Sequence, residues 1–230
     1  MSAEQQRSFV LAVTGLRAEA RIAERSENVR AVAGGGDTAR LEALIIQAVE
    51  DGAGALVSFG IAAGLAPGLA AGTCVVAREV VHEGRSYAAE ASWSARIRQA
   101  MDVTGLVTIA GVDRPLQSAV EKEALHASTR AAAADMESHI VARLAAKHSL
   151  PFAVLRAIAD PAMREIPQAA LDGMGSDGRI NIGGVLVSLA KDPTMLRSLV
   201  RLTADTRLAM GTLLRCHSLL GPGLGFGDLR

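Results

Sequence analysis

At 230 residues, half of them hydrophobic and only 3% aromatic, the chain suits one α/β domain with a core of Ala, Val, Leu and Ile. Its 24 basic and 24 acidic residues cancel. With no basic excess and no interleaved aromatics, it lacks the electrostatic footprint of a nucleic-acid binder. Cys74 and Cys216 are too few for a disulfide framework and are not in metal-ligand spacing, which suits a reducing compartment. The opening MSAEQQRSFVLAVTG has no signal-peptide core, so a cytoplasmic location is expected.

Phe9 to Val13 reads as a first buried strand and Thr14-Gly15 as its turn. Leu16 to Glu24 then carries Leu16, Ala20 and Ala23 on one helical face. A helix opening just after a first strand offers free N–H groups to an anion, and Arg17 would add a fixed positive charge. Arg17 and Glu19 equally fit a solvated face with ordinary ion pairs. Val29 to Ala33 is a second strand. Gly34-Gly35-Gly36 matches neither a dinucleotide nor a Walker spacing, and Asp37 or Thr38 capping a helix from Ala39 to Glu50 explains it better.

Gly52 to Ala77 has no charged residue and imitates a membrane span, but glycines and Pro67 interrupt it. Ala55–Phe59 and Thr73–Ala77 are therefore predicted as two buried strands around a glycine loop, with Ser58 to Pro67 forming the loop. The second strand continues to Val81, and His82 to Arg85 is a turn. Tyr87 and Trp93 are expected to pack, ahead of a helix from Ser94 to Met101. Leu106 to Ala110 is another strand, Gly111 to Pro115 a loop, and Ser118 starts the next helix.

Ala131 to Pro161 is the informative stretch. A short apolar strand runs into Asp135-Met136-Glu137, an amphipathic helix follows, and an apolar strand ends at Asp160. Two acids, Glu137 and Asp160, thus stand at the carboxyl ends of strands, where α/β sheets bind ligands. Burial at the end of an apolar run raises the pKa of Asp160, and a protonated carboxyl can give its proton to a leaving group. The helix from Glu137 to His148 buries Ile140, Val141, Leu144 and Ala145. His139 and His148 read as structural. His82 and His126 are isolated, so no metal site is expected. Strand alternation puts Arg156 on the face of Asp160, either to neutralise a buried partner or to orient and tune that acid.

Beyond Pro161, Met163 to Arg179 is loop-rich and Ile180 to Ala190 helical. A long helix from Pro193 or Thr194 has Met195, Leu196, Leu199, Val200 and Leu202 on one side and Arg197, Arg201 and Arg207 on the other. It covers a sheet, or leans on a membrane surface as a peripheral contact at its inner face. Gly221 to Arg230 reads as a loose tail.

The wording of these segments is also that of a family. Met136-Glu137 followed by Pro151 and Arg156-Ala157-Ile158-Ala159-Asp160 resembles the nucleoside phosphorylase and nucleosidase superfamily. LAVTGLRAEARIAE, SAVEKEALHAST and ADMESH resemble its hopanoid-associated phosphorylases, from about Val10 to Arg215. The resemblance implies a three-layer α/β/α sandwich with a mixed central sheet, no organic cofactor, and a homodimer. It implies cleavage of an adenine N-ribosyl bond, with adenosylhopane, a lipid-linked adenosine, as substrate. Asp160 becomes the general acid at the purine and Glu137 the ribose ligand, with Met136 against the sugar. Gly60, Ile61 and Ala62 form the sugar loop, and Ser118 is a polar contact. Gly15 and Arg17 belong to a phosphate-binding segment, with inorganic phosphate as co-substrate, whereas Glu19 stands where nucleosidases keep the acid that activates water. This sequence departs from the pattern at Ser58, Ile61, Ala63 and Ala159, and Ile61 in particular supplies no hydroxyl for phosphate. Phosphorolysis is the expectation. A hydrolytic nucleosidase for methylthioadenosine-type nucleosides and a silent nucleoside-binding protein are the alternatives.

Overall fold

The computed structural model describes residues 8–167, 170 and 192–227. The expected helix over 180–190 and part of the 163–179 loop lie outside them. In chain order the elements are β1 (Phe9–Thr14), α1 (Arg17–Ala23), β2 (Val29–Ala33), α2 (Thr38–Glu50), β3 (Ala53–Gly64), β4 (Cys74–His82) and β5 (Arg85–Ala88). There follow α3 (Ala91–Ala100), β6 (Val107–Gly111), α4 (Ala119–Thr129), β7 (Ala133–Asp135), α5 (Ser138–His148), β8 (Phe152–Asp160) and α6 (Leu196–Leu220).

The sheet is mixed, with path β2-β1-β3-β7-β6-β4-β5, and β8 pairs with both β3 and β4. Consequently β3, β7, β6, β4 and β8 close into a ring, a feature that strand patterning alone does not announce. Two helical layers cover the sheet. On one face Leu41 and Ile45 of α2 and Ile140, Val141 and Leu144 of α5 pack on Leu11, Leu56, Val154 and Ile158. On the other, Ile22 of α1, Trp93 and Ile97 of α3, and Ala209 and Leu213 of α6 pack on Val10, Val57, Leu155 and Ala157. Strand β8 shows the period-two logic: alternate residues enter opposite cores, and all nine are buried. The expected α/β/α arrangement is therefore the observed one.

Several sequence expectations change. The glycine loop over Ser58–Pro67 is largely strand, because β3 continues to Gly64 with β8 parallel on one side and β7 antiparallel at its end. An extra strand, β5, turns back from β4 through Glu83 and Gly84, both at positive φ as a two-residue hairpin requires. On α6, Leu196 and Val200 are exposed at 51% and 60%, while Leu213 and Cys216 form the buried stripe. The buried residues of the helix, Ala209, Thr212, Leu213 and Cys216, all lie in its later turns. Among the described residues, no helix is long and apolar enough to cross a membrane. Cys74 and Cys216 are buried and unbonded, with sulfurs 3.9 Å apart.

The tail is packed as far as residue 227. A 3-10 turn over Pro222–Gly225 buries Leu224, whose carbonyl accepts a hydrogen bond from Trp93 Nε1 at 3.0 Å, and Phe226 lies on the Trp93 ring. The expected packing role of Trp93 holds: the ring is fully buried, away from the cavity described below. Deleting residues 221–230 removes a buried leucine and a buried hydrogen bond, together about 2–4 kcal/mol. A lower Tm and a red-shifted emission from Trp93, the only tryptophan in the chain, are the expected outcomes; an unchanged spectrum would show the contact to be absent in solution.

Candidate active site

A cavity of about 620 Å³ opens at the carboxyl ends of the central strands. Of the residues marked out by the sequence, Gly15, Glu19, Ile61, Ala62, Met136, Glu137 and Asp160 line it. Arg17, Gly60 and Ser118 do not, each for a physical reason. Arg17 lines a separate surface depression with Arg21, Glu24 and Arg40, because the side chain of the first helical residue points along the outside of α1. Ser118 is the N-cap of α4: its Oγ accepts from Glu121 N, and Glu121 reaches back to Ser118 N. Gly60 lies behind the wall, where a β-carbon built on it would come within 2.6 Å of Arg156 Nη1 and 2.8 Å of Glu19 Oε1. Its glycine identity thus makes room for the two charged groups.

Glu19 is the third residue of α1 and folds back on the helix start, accepting from Leu16 N at 2.7 Å and Gly15 N at 3.0 Å. Its other oxygen accepts from Ile61 N at 2.8 Å. The carboxylate therefore occupies the N–H groups that the helix N-terminus would offer an anion. Burial pushes its pKa up, while Arg156 and these N–H donors pull the other way.

Glu137 precedes α5 but does not cap it. Asp135 does, its Oδ1 accepting from Glu137 N at 2.9 Å and Ser138 N at 2.6 Å. With the cap supplied by Asp135, the carboxyl of Glu137 is free to turn to the cavity, over Gly15, where any β-carbon would sit 2.8 Å from Glu137 Oε1. Burial first, then the neighbouring Asp135 and Glu19, push Glu137 up to about 7 against the pull of Arg156.

Arg156 is fully buried on β8 and sits among these acids: Nε lies 2.9 Å from Asp135 Oδ2 and Nη2 3.2 Å from Glu137 Oε2. Nη2 also donates to Ser58 Oγ at 2.5 Å, and Nη1 to the Ile61 carbonyl at 3.3 Å. The expected alternation with Asp160 fails because Ile158 and Asp160 pair with consecutive residues of β3, leaving Ala159 as a bulge. Asp160 instead meets Lys122, whose Nζ lies 2.7 Å from Oδ2. Burial nonetheless raises the pKa of Asp160, with Lys122 opposing and Asp205 adding to the rise.

The sequence reading missed Lys122, Asp135 and the Gly35-Gly36 wall of the cavity. Asp135 carried a signal, an acid one residue short of a helix start. Lys122 carried none, since it looks like one more charge on an amphipathic helix. His82 is not isolated: its ring stacks on His139 with centroids 4.2 Å apart, and His139 Nε2 lies 3.2 Å from Asp113. His82, Asp113 and His139 form the one grouping of potential metal donors among the described residues. Imidazole lone pairs lie in the ring plane, and two rings inclined by only 24° face to face do not aim them at a common ion.

Compared with known proteins, residues 10–175 match the model of the phosphorylase superfamily. The chain belongs to that superfamily. Solved structures of the same fold include futalosine hydrolase of Helicobacter pylori, at TM-score 0.59 and 18% identity over 88% of this chain and 100% of that one. The 5′-methylthioadenosine/S-adenosylhomocysteine nucleosidase of S. pneumoniae, bound to a transition-state inhibitor, aligns at TM-score 0.58 and 17% identity over 89% and 99%. The corresponding nucleosidase from Colwellia psychrerythraea, in complex with adenine, aligns at 0.59 and 15% over 90% and 96%. A search of curated proteins gives no match. In this phosphorylase-superfamily chain the acids and the buried arginine fall within the matched region, whereas α6, which completes the cavity wall with Leu199, Leu202 and Met210, lies beyond it.

The raised acids fix the sign of the pH dependence. Glu137, held near 7, keeps a proton in the folded chain that the unfolded chain releases from 4.5 upward, and Glu19 and Asp160 shift the same way. The stability contributed by Glu137 is therefore fully present below about pH 4.5 and lost as pH rises through about 7. Thermal melts across that window should show a falling Tm whose slope is reduced in Glu137→Gln; a slope unaffected by the substitution would contradict the raised value.

Proposed function

We propose that the protein hydrolyses the N-ribosyl bond of an adenine nucleoside. The observation that carries this reading is the placement of Glu19, a buried carboxylate on the cavity wall that accepts from three N–H groups, two of them at the start of α1. A phosphate dianion there would face Glu19, Glu137 and Asp135, while the nearby guanidinium of Arg156 is already committed to two of those acids. Arg17 lines a different depression, and Ile61 offers no hydroxyl. Inorganic phosphate, implied by the family resemblance, is thus the less favoured nucleophile, and water the more favoured one.

In this mechanism Asp160 donates its proton to purine N7 as the bond from N9 to C1′ breaks and its electron pair leaves with adenine. Glu137 holds the ribose hydroxyls while C1′ takes on oxocarbenium character. A water adds to C1′ and loses its proton to Glu19, so that adenine and a free ribosyl product leave. The apolar walls lower the local dielectric and strengthen each of these interactions.

The cavity also supports the lipid-linked substrate. Beyond the acids it is walled by Leu116, Ile166, Leu199, Leu202 and Met210, an apolar surface that the ribose and adenine do not need. An adenosine with a bulky apolar group at its 5′ side, such as adenosylhopane, would fill it. Exposed Leu196, Val200 and Leu208 beside Arg197 and Arg201 on α6 suit a peripheral contact with the membrane holding such a lipid.

Adenine release, followed chromatographically, should proceed in phosphate-free buffer and should not rise with added phosphate. Glu19→Gln and Asp160→Asn should each lose about 10²-fold or more, with nucleoside binding in Asp160→Asn kept within about tenfold, or 1.4 kcal/mol. Arg17→Ala should retain most activity. Saturable activation by phosphate, with collapse in Arg17→Ala, would instead make the enzyme a phosphorylase. Across a series of 5′-alkylthio adenosines, affinity should improve by up to about 0.8 kcal/mol per added methylene; a flat series would count against the lipid-linked substrate.

A further inference from the structure

We propose that Lys122 is a positioning residue for the general acid, holding one oxygen of Asp160 so that the other presents its proton to the cavity. The inference rests on the reading of Asp160 as the acid and extends it to a residue that lies outside the cavity wall.

Lys122 is in the first turn of α4 and is fully buried. Burying an ammonium costs several kcal/mol unless every donor is satisfied. Here the donors converge on one short segment: Asp160 Oδ2 at 2.7 Å, the Arg164 carbonyl at 2.8 Å, and the Asp160 and Pro161 carbonyls at 3.2 Å each. The start of α4 is itself fixed, since Ser118 and Glu121 cap it and Arg114 pairs with Glu121 at 2.8 Å. The ammonium therefore reaches the end of β8 from a rigid base. With Oδ2 engaged, Oδ1 is the oxygen left for a proton and for a purine nitrogen.

The charge also matters. A carboxyl in an apolar wall holds its proton too tightly to be an efficient acid, and a cation at hydrogen-bond distance restores acidity. Among the described residues, the charged groups around Asp160 are Lys122 from α4, Arg164 from the turn after β8 and Asp205 from α6, the last two paired at 2.8 Å. Lys122 is the one cation in direct contact with the carboxyl. A purely architectural lysine would need only the carbonyls; the shortest of its four contacts is to the acid.

The test measures kcat and KM for adenine release from 5′-methylthioadenosine against pH. Wild type, Lys122→Met, Lys122→Gln and Asp160→Asn are compared, with a Tm for each. Gln keeps a donor for the carbonyls and serves if Met does not fold. Both neutral variants should lose roughly 10- to 100-fold in kcat with KM within about threefold, a fraction of what a general acid contributes. The alkaline limb, where Asp160 loses its proton, should move up by about one unit or more; Lys122→Arg should return it toward wild type. A folded neutral variant with the wild-type limb and kcat overturns the proposal and leaves Lys122 as a brace. If wild type releases no adenine, or Asp160→Asn keeps its rate, the underlying reading fails instead.

Discussion

One buried guanidinium has to answer several carboxylates, and most of the site follows from that constraint. Arg156 sits on a strand buried along its whole length, where an isolated charge is prohibitive. Asp135 and Glu137 face it directly, and Glu19 lies within electrostatic reach. The acids need the arginine, and the arginine needs the acids, but three carboxylates against one cation leave an excess of negative charge. Burial holds Glu137 near 7 and Glu19 above its ordinary value, and for Glu137 the neighbouring Asp135 and Glu19 add to the rise. The three acids line the cavity, and perturbed acids in a cleft mark it as a candidate functional site.

The backbone is shaped around the same group. Glycine at position 60 keeps a β-carbon from entering the space of Arg156 and Glu19, and glycine at position 15 does so for Glu137. Ser58 and Ser138 complete the shell, with Ser138 Oγ donating to Ser58 at 2.9 Å and lying 2.6 Å from Asp135 Oδ2. These hydroxyls satisfy polar atoms that would otherwise be orphaned in the interior. The α1 N-terminus, an obvious anion site by its geometry, is filled by the protein's own carboxylate. The N–H groups of Gly15 and Leu16 are thereby satisfied within the chain.

Two acids that line the cavity thus receive different partners. Glu137 shares an arginine with another acid, while Asp160 has a lysine to itself among the described residues. The division follows from the bulge at Ala159, which parts Asp160 from the ladder that carries Arg156. Helix α6 then walls the cavity with Leu199, Leu202 and Met210 while its earlier turns remain exposed.

Period-two and helical spacing located β1, β2, β6, β8, α2 and α5 closely, because an apolar face must be buried whatever the tertiary context. The segment Ala131 to Pro161 by itself placed Glu137 and Asp160 at strand ends, whereas Glu19 read as part of a solvated face and gained a role only through the family resemblance. Sequence could not tell that the strand ending at Phe59 continues to Gly64, since small residues read as a loop until another strand pairs with them. It assigned Arg156 to Asp160 by alternation, and a one-residue bulge, which has no signature among small apolar residues, reversed that. It set Arg17 and Glu19 side by side as rival anchors for phosphate and for water, and the resemblance favoured phosphate. Only the packed helix separates them, one turned to the outside of α1 and the other to the cavity. Lys122 and Asp160 are 38 residues apart and meet because α4 and the end of β8 are brought together by the closed ring of strands. Local pattern fixes which residues are buried; which buried charges become partners is decided by strand order and register, which only the folded chain possesses.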